Sequence, residues 1–330
     1  MEGNLINPIT VSIIIPVYNC APYLTKGFKH LEQLYKSNTK FEIIYVNDGS
    51  TDNSLDILEE IKSNNRFVKI INQVNQGSSG ARNSAIEIAK GKYIQFLDAD
   101  DYIDIEKILP LLEKAILLDI DVFGYRIDFV DEHFHKLGEM PKFLVDYDKV
   151  ISGNYALVSG YQPSSICLFL FKTSFLIDNN LRITPKITHM DVEFMLRVML
   201  SATKVFFVDL IAYHYVQRAG SITKPTTKIK LEKYLFDEVV VANLMKSNLR
   251  SNMSKELIIS IKKNYNSVVW NLFMRFHTNP NEVSYAFKTK CINSLKENNL
   301  YPIKGDLKTP FQKITRPFFN SEWLLRKIIK

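Results

Sequence analysis

Three carboxylates follow directly on an apolar run in Phe96-Leu97-Asp98-Ala99-Asp100-Asp101. Crowded carboxylates repel one another and stay ionised together most readily beside a cation, so the cluster suits a divalent metal held against a phosphorylated ligand. The same residues admit a plainer use, because Asp100 or Asp101 is a good cap for a helix starting near Ile103. Which use applies depends on the elements that carry the cluster to its place.

Lys92 to Leu97 reads as a buried strand, and the chain before it alternates strand with helix. Val11 to Val17 is a β-branched strand closed by Pro16 and followed by a helix with Leu24, Phe28, Leu31 and Leu34 at three- and four-residue steps. Phe41 to Asn47 is a second strand, and the helix after it carries Leu55, Leu58 and Ile61 on one face. Val68 to Ile71 is a third strand, and a helix from about Ala81 to Ala89 leads into the strand ending at Asp98. Such alternation predicts an α/β fold with a mostly parallel sheet and right-handed crossovers. The loops after Val17, Val46 and Ile71 then gather at the sheet edge that holds Asp98 and Asp100, where open α/β sheets bind ligands.

Beyond Asp101 the pattern predicts a helix over Leu109–Leu118, a strand over Asp121–Val130, and strand then helix over Ser164–Phe175. A helix over Asp191–Leu200 and a strand over Lys204–Tyr215 follow, and from Leu231 the periodicity is mostly helical. The net charge of +7 hides an asymmetry. From Lys224 to Lys330 there are 20 Lys/Arg against 8 Asp/Glu, while the first 223 residues hold 22 against 27. A domain boundary is therefore expected near Gly220 to Lys230, giving 1–223 and a basic helical region 224–330. Cys20, Cys167 and Cys291 are too few and scattered for a disulfide framework, and the first residues carry no secretory pattern. A cytoplasmic protein is expected.

Four motifs together resemble family 2 glycosyltransferases. They are Pro16-Val17-Tyr18-Asn19, Asp48-Gly49-Ser50-Thr51-Asp52, Gly77-x-x-x-Ala81-Arg82-Asn83 and Leu97-Asp98-Ala99-Asp100-Asp101, in the family's order and spacing over about residues 10–223. Each alone is common; the ordered set is specific. The resemblance implies a GT-A, Rossmann-like fold, with a nucleotide-sugar half at about 10–101 and an acceptor half at about 102–223. It implies an inverting enzyme that moves a sugar from a nucleotide-sugar, usually a UDP-sugar, to a hydroxyl of a glycan or lipid-linked acceptor. Capsular, exo- or O-antigen polysaccharide synthesis in bacteria is the setting such enzymes serve.

Within that resemblance, Pro16, Tyr18 and Asn19 border the nucleoside, and Asp48 accepts a hydrogen bond from the base or simply closes a turn. Gly77 to Gly80 precede a helix whose free N–H groups suit a phosphate. Arg82, expected in that helix's first turn, is poorly placed for the macrodipole unless an anion lies nearby, which favours it as a nucleotide or diphosphate contact over a solvated arginine. Asp98 contacts the ribose, Asp100 ligates Mg²⁺ or Mn²⁺, and Asp101 caps the next helix or supports the cluster. His214 is either a second metal ligand or a structural histidine. Arg218 and Ser221 belong to a lid over the donor phosphates.

The catalytic base expected from the family is Asp191, although Met190 stands where the family carries Glu, and a helix cap is the plainer role. Glu193, four residues before Arg197, reads as a helix-surface ion pair. A non-catalytic nucleotide-sugar binding protein is the alternative. A phosphatase with an Asp-x-Asp nucleophile fits less well, since its pair follows the first strand. Aromatic and basic residues interleave over 311–330, which suits either an anionic membrane surface at the inner face of the cell membrane or a helix packed on the catalytic domain with a solvated basic face. No recognition motif accompanies the charge, so nucleic acid is not expected as a partner.

Overall fold

The computed structural model describes residues 9–37, 39–217, 227–279 and 281–329. The chain divides into two compact units. The first comprises the described residues of Met1–Ala156, Ser165–Lys186 and Val198–Arg218; the second comprises Leu157–Ser164, Ile187–Arg197 and those of Ala219–Lys330. Two short segments that precede Gly220 in the chain thus belong with the basic helical region.

In the first unit, β1 (Val11–Val17), β2 (Phe41–Asp48), β3 (Val68–Gln73) and β4 (Tyr93–Phe96) lie in the order β3-β2-β1-β4 and are all parallel. Helices α1 (Ala21–Leu31), α2 (Ser54–Ser63) and α3 (Gly77–Ile88) make the crossovers. Strand β2 is buried along its whole length, as a parallel strand covered on both faces must be. Helix α1 buries Leu24, Phe28 and Leu31, and Leu34 is buried from the 3₁₀ turn that follows.

The remaining elements of this unit extend the sheet. They are β5 (Tyr102–Ile103), α4 (Ile105–Leu118), β6 (Val122–Val130), β7 (Lys136–Glu139), β8 (Val150–Ile151), the start of α5 (Gly153–Ser159), β9 (Phe169–Lys172), α6 (Thr173–Asp178), the end of α7 (Met190–Ser201) and β10 (Val205–Val216). The order continues β4-β9-β6-β10-β5. Strand β9 is antiparallel to both β4 and β6, whereas β6 and β10 are parallel. The sheet is therefore parallel in its first half and mixed in its second, within the expected α/β class. Strands β5, β7 and β8 were absent from the sequence reading, since two to four residues are too few to show a period.

In the second unit, α8 (Lys228–Ser247), α9 (Lys255–Thr278), α10 (Tyr285–Glu297), α11 (Pro310–Asn320) and α12 (Glu322–Ile329) realise the expected helical region. Thr227, Ser254, Ser284 and Thr309 cap the first four, each side chain accepting a backbone N–H from the first turn. Leu235, Val239, Trp270, Phe273 and Phe276 form much of the core. Among the described residues no helix is long and apolar enough to cross a membrane.

The amino ends of β1 and β2 are fastened by a buried carboxylate. Glu42, 2% exposed, accepts from Ser12 Oγ and the Lys90 N–H, both at 2.6 Å, and pairs with Lys69 at 2.5 Å. Gly91 N–H donates to the same Ser12 oxygen, and a Cβ on Gly91 would lie 2.3 Å from the Ser12 nitrogen, so only glycine fits there. Burial acts to raise the Glu42 pKa, but the hydrogen bonds from Lys69, Ser12 and Lys90 outweigh it and hold it below the usual value. A carboxyl so lowered stabilises the fold above its unfolded pKa and loses that contribution as pH falls through the folded one. Glu42→Ala is expected to cost about 1–3 kcal/mol in urea denaturation at neutral pH. The gap to the parent protein should close as pH drops below about 4.

Candidate functional site

The carboxyl ends of β1, β2 and β4 and the start of α3 bring most of the sequence-predicted donor residues to one edge of the first unit. Pro16 is half-buried near the end of β1, and Tyr18 stands exposed just beyond it. Asn19 adopts a left-handed backbone, φ 53°, which asparagine tolerates. Its Oδ1 accepts from the Thr51 N–H at 2.7 Å, and its own N–H donates to Ser50 Oγ at 3.0 Å. Ala21 N–H adds a bond to Asp52 and Cys20 N–H one to Ser54. The first loop is therefore bound to the Asp-Gly-Ser-Thr-Asp loop by its own polar groups.

Asp48 is 2% exposed and ends β2. Its Oδ1 accepts from Gln73 Nε2 and from the Gln76 N–H, both at 2.8 Å, which ties β2 to the turn ahead of α3. Gly49 has φ +72°, and a Cβ there would meet the Asn75 nitrogen at 3.0 Å, so glycine serves both the conformation and the close approach.

Helix α3 starts at Gly77, four residues before the expected Ala81. Gly77 has φ +77° with open space around it, so glycine is needed there for conformation alone. The earlier start corrects the argument for Arg82, which lies in the second turn, beyond the strongest reach of the macrodipole. The anion that explains it is Asp98: buried Arg82 donates from Nη2 to Asp98 Oδ1.

The three carboxylates after β4 divide into different environments. Asp98 is half-buried against Arg82, and Asp100 is half-buried in the turn after β4. Asp101 is buried, accepting from Tyr213 OH at 2.7 Å and from the Val216 N–H at 2.9 Å. Burial, and then the charge of Asp98, push Asp101 up to about 7. The expected cap role belongs instead to Asp104, whose side chain accepts the Lys107 N–H at the start of α4, because β5 separates Asp101 from that helix. Asp101 supports the cluster by holding the end of β10.

His214 sits on β10 opposite Tyr102 of β5, with Nδ1 2.7 Å from Asp128 Oδ1. The pairing of Asp128 with His214 and of Tyr213 with Asp101 escaped sequence reasoning, because strand alternation marks which face a residue takes but not its cross-strand partner. Among the described residues no three His, Cys, Asp or Glu side chains converge on one point to hold a cation by themselves. The donor set around the turn is nevertheless hard and anionic, and a carboxylate–histidine pair fixes which imidazole nitrogen faces away from the protein carboxylate.

In the second unit, Asp191 occupies the first turn of α7, one residue inside the helix rather than at the flanking cap position. His189 precedes it with φ 57°, and its carbonyl accepts the Val192 N–H at 3.2 Å. The segment is clamped by α8: Asp237 accepts from the Thr188 N–H at 2.7 Å and from Thr188 Oγ1 at 3.1 Å, and is paired with Lys233. The His189 ring meets Tyr234 edge-on at 4.3 Å and lies 3.8 Å from Glu238. Burial pushes Glu238 up to about 8, partly offset by Arg275, and lowers the pKa of His189. Tyr161 is raised chiefly by burial and also by the nearby charge of Asp191. Glu193 does pair with Arg197, in two bonds of 2.5 and 2.9 Å, but it is buried rather than on the helix surface. Arg218 and Ser221 lie outside the described residues.

The family model described as glycosyl transferase family 2 matches residues 12–173. The glycosyltransferase YibD of Escherichia coli K12 is 28% identical over 222 residues, covering 65% of this chain and 63% of that protein. Glycosyltransferase GlyG of Streptococcus pneumoniae is 30% identical over 223 residues, covering 65% and 73%. Among solved structures, residues 1–349 of S. aureus TarS in complex with UDP-GlcNAc align with 97% of this chain and 88% of that one, at a TM-score of 0.72 and 19% identity. That likeness is one of fold, and it agrees with the expected GT-A architecture. With the four motifs in register, the α/β sheet that carries them and these relatives, the chain belongs to the family 2 glycosyltransferases.

Proposed function

We propose that the protein transfers a sugar, with inversion, from a UDP-sugar to a hydroxyl of a glycan or lipid-linked acceptor in bacterial surface-polysaccharide synthesis. The observation that carries this reading is the convergence of Asn19, Asp48, Gly77 and the Arg82–Asp98 pair beside Asp100 at one sheet edge. The UDP-GlcNAc held by TarS supports UDP as the nucleotide. Tyr18 and Asp48 border the nucleoside, Asp98 takes the ribose, and the α3 amino end favours the diphosphate, with Arg82 holding Asp98 in place.

Asp100, with His214 presenting Nε2, is the proposed protein contribution to a Mg²⁺ or Mn²⁺ site. Mg²⁺ is commonly bound through one or two carboxylates plus substrate phosphates, so a sparse protein donor set fits a cation that arrives with the nucleotide. When bound, such an ion neutralises charge that develops on the departing diphosphate. Asp191 takes the acceptor hydroxyl proton as the acceptor oxygen forms its bond to the anomeric carbon and the bond from that carbon to the phosphate oxygen breaks. UDP leaves, and the configuration at the anomeric carbon inverts in the single displacement.

Thermal stabilisation by a panel of nucleotide-sugars with Mn²⁺ identifies the donor, because a true ligand stabilises the fold by mass action. Asp191→Asn is expected to abolish transfer while nucleotide binding stays near the parent value; unchanged turnover would remove Asp191 as the base. A binding protein without catalysis would show donor stabilisation and no UDP release in the parent itself. Asp100→Ala should weaken donor binding in calorimetry only when Mg²⁺ or Mn²⁺ is present. An equal loss in chelator would assign Asp100 to a metal-independent contact.

A further inference from the structure

The proposed transfer leaves the outer face of α11 and α12 in the second unit without a role. Helix α11 is anchored from one side: Phe319 is buried against Trp270 and Phe273, with ring centroids 5.9 and 5.8 Å away, and Trp270 Nε1 donates to Thr315 Oγ1 at 2.9 Å. Beside that anchor large apolar side chains stay exposed, although the Phe311 ring also meets Trp270 edge-on at 5.6 Å. Phe311 is 55% exposed and Ile314 77%, one helical turn apart, and Trp323 on α12 is 64% exposed. Water is a poor partner for this surface, and isolated apolar residues are unremarkable only when scattered singly.

The charge around this face selects its occupant. From Thr309 to Ile329 the sequence holds Lys313, Arg316, Arg326 and Lys327 against Glu322 alone. Lys313 is exposed beside Ile314, and Lys327 places its ammonium 3.7 Å from the centre of the Trp323 ring. A second copy of the chain would bring two basic faces together. An anionic bilayer surface satisfies both features, taking Phe, Ile and Trp to headgroup depth and pairing lysines with lipid phosphates. We infer that the outer face of α11 and α12 docks on an anionic lipid surface, with Phe311, Ile314 and Trp323 as the inserted side chains and Lys313 and Lys327 as headgroup contacts. The inference stands apart from which sugar is moved, and no membrane-crossing helix is needed for it.

The full chain is tested by co-sedimentation with vesicles of phosphatidylcholine alone and of phosphatidylcholine mixed with phosphatidylglycerol. Binding is expected to the mixed vesicles, to fall as salt is raised, and to be small on phosphatidylcholine. The triple substitution Phe311→Ser, Ile314→Ser, Trp323→Ser should lower the partition coefficient at least about tenfold, and Lys313→Gln with Lys327→Gln several-fold. Circular dichroism and Mn²⁺-dependent donor stabilisation should match the parent, and the double substitution Ile314→Ser, Trp323→Ser, which spares the contact of Phe311 with Trp270, should lower binding in the same direction. Failure of the parent to bind mixed vesicles would overturn the inference, as would equal binding by the triple variant. A parent dimer in light scattering that the triple substitution dissociates, without vesicle binding, would assign the face to self-association instead.

Discussion

Negative charge at the end of β4 is the constraint around which the first unit is arranged. Three carboxylates in four residues cannot all face one another in a half-buried turn, and the structure gives each a different answer. Asp98 takes the guanidinium of Arg82. Asp101 is turned inward to Tyr213 OH and the Val216 N–H, where burial favours its protonated form. Asp100 remains in the turn itself. These choices bring α3 and β10 to the same strand end, because the counter-groups sit on those elements. The site's framework is thus set by how the charge is distributed before any ligand arrives.

The parallel half of the fold was legible because its signals are long and regular. Strands β1, β2 and β3 are β-branched runs, and α1 and α2 repeat apolar residues at three and four, so the order of elements follows from period and length. The misreadings are local. Gly77-Ser78-Ser79-Gly80 has the composition of a loop, yet it forms the first turn of α3, where the φ of Gly77 starts the helix. Arg82, placed one turn too early, was expected to meet a nucleotide or diphosphate, and the anion it meets in the fold is Asp98. Asp101 looked like a cap because the two-residue strand β5 that displaces the helix has no periodic signal. Asp104 stands immediately before the apolar run of α4, and that position was the readable cap signal.

The residues proposed for the acceptor side show a different limit. Asp191 was found through its family motif, and no local pattern predicted that residues 187–197 would group with helices from the far end of the chain. The link is made by Thr188 and Asp237, 49 residues apart, and by the rings of His189 and Tyr234. Each is an ordinary residue in isolation. Only the left-handed backbone at His189, an uncommon conformation for a non-glycine residue, marks the segment as held by its surroundings. Period and propensity report what a residue does along its own element, and these contacts run between elements.

The motif residues also differ in how cleanly they report chemistry. Asn19 and Asp48 are conspicuous in the motifs, yet both spend hydrogen-bond capacity on joining loops: Asn19 on Thr51, Asp48 on Gln73 and Gln76. Removing buried Asp48 leaves the Gln76 N–H and the Gln73 amide without their acceptor, a cost to folding of about 1–3 kcal/mol, whereas water can replace the exposed Asn19–Thr51 bond at smaller cost. Loss of nucleotide binding in such variants would mix a damaged loop with a lost contact. Arg82 has the same ambiguity, since it is buried against Asp98 and its removal leaves that carboxylate's charge without its guanidinium. Asp191, one residue inside α7, places its charge in the first turn of its helix. The family signature is thus partly a folding signature. Residues such as Asn19 and Asp48 join the loops at this sheet edge, so substituting them tests folding together with any binding.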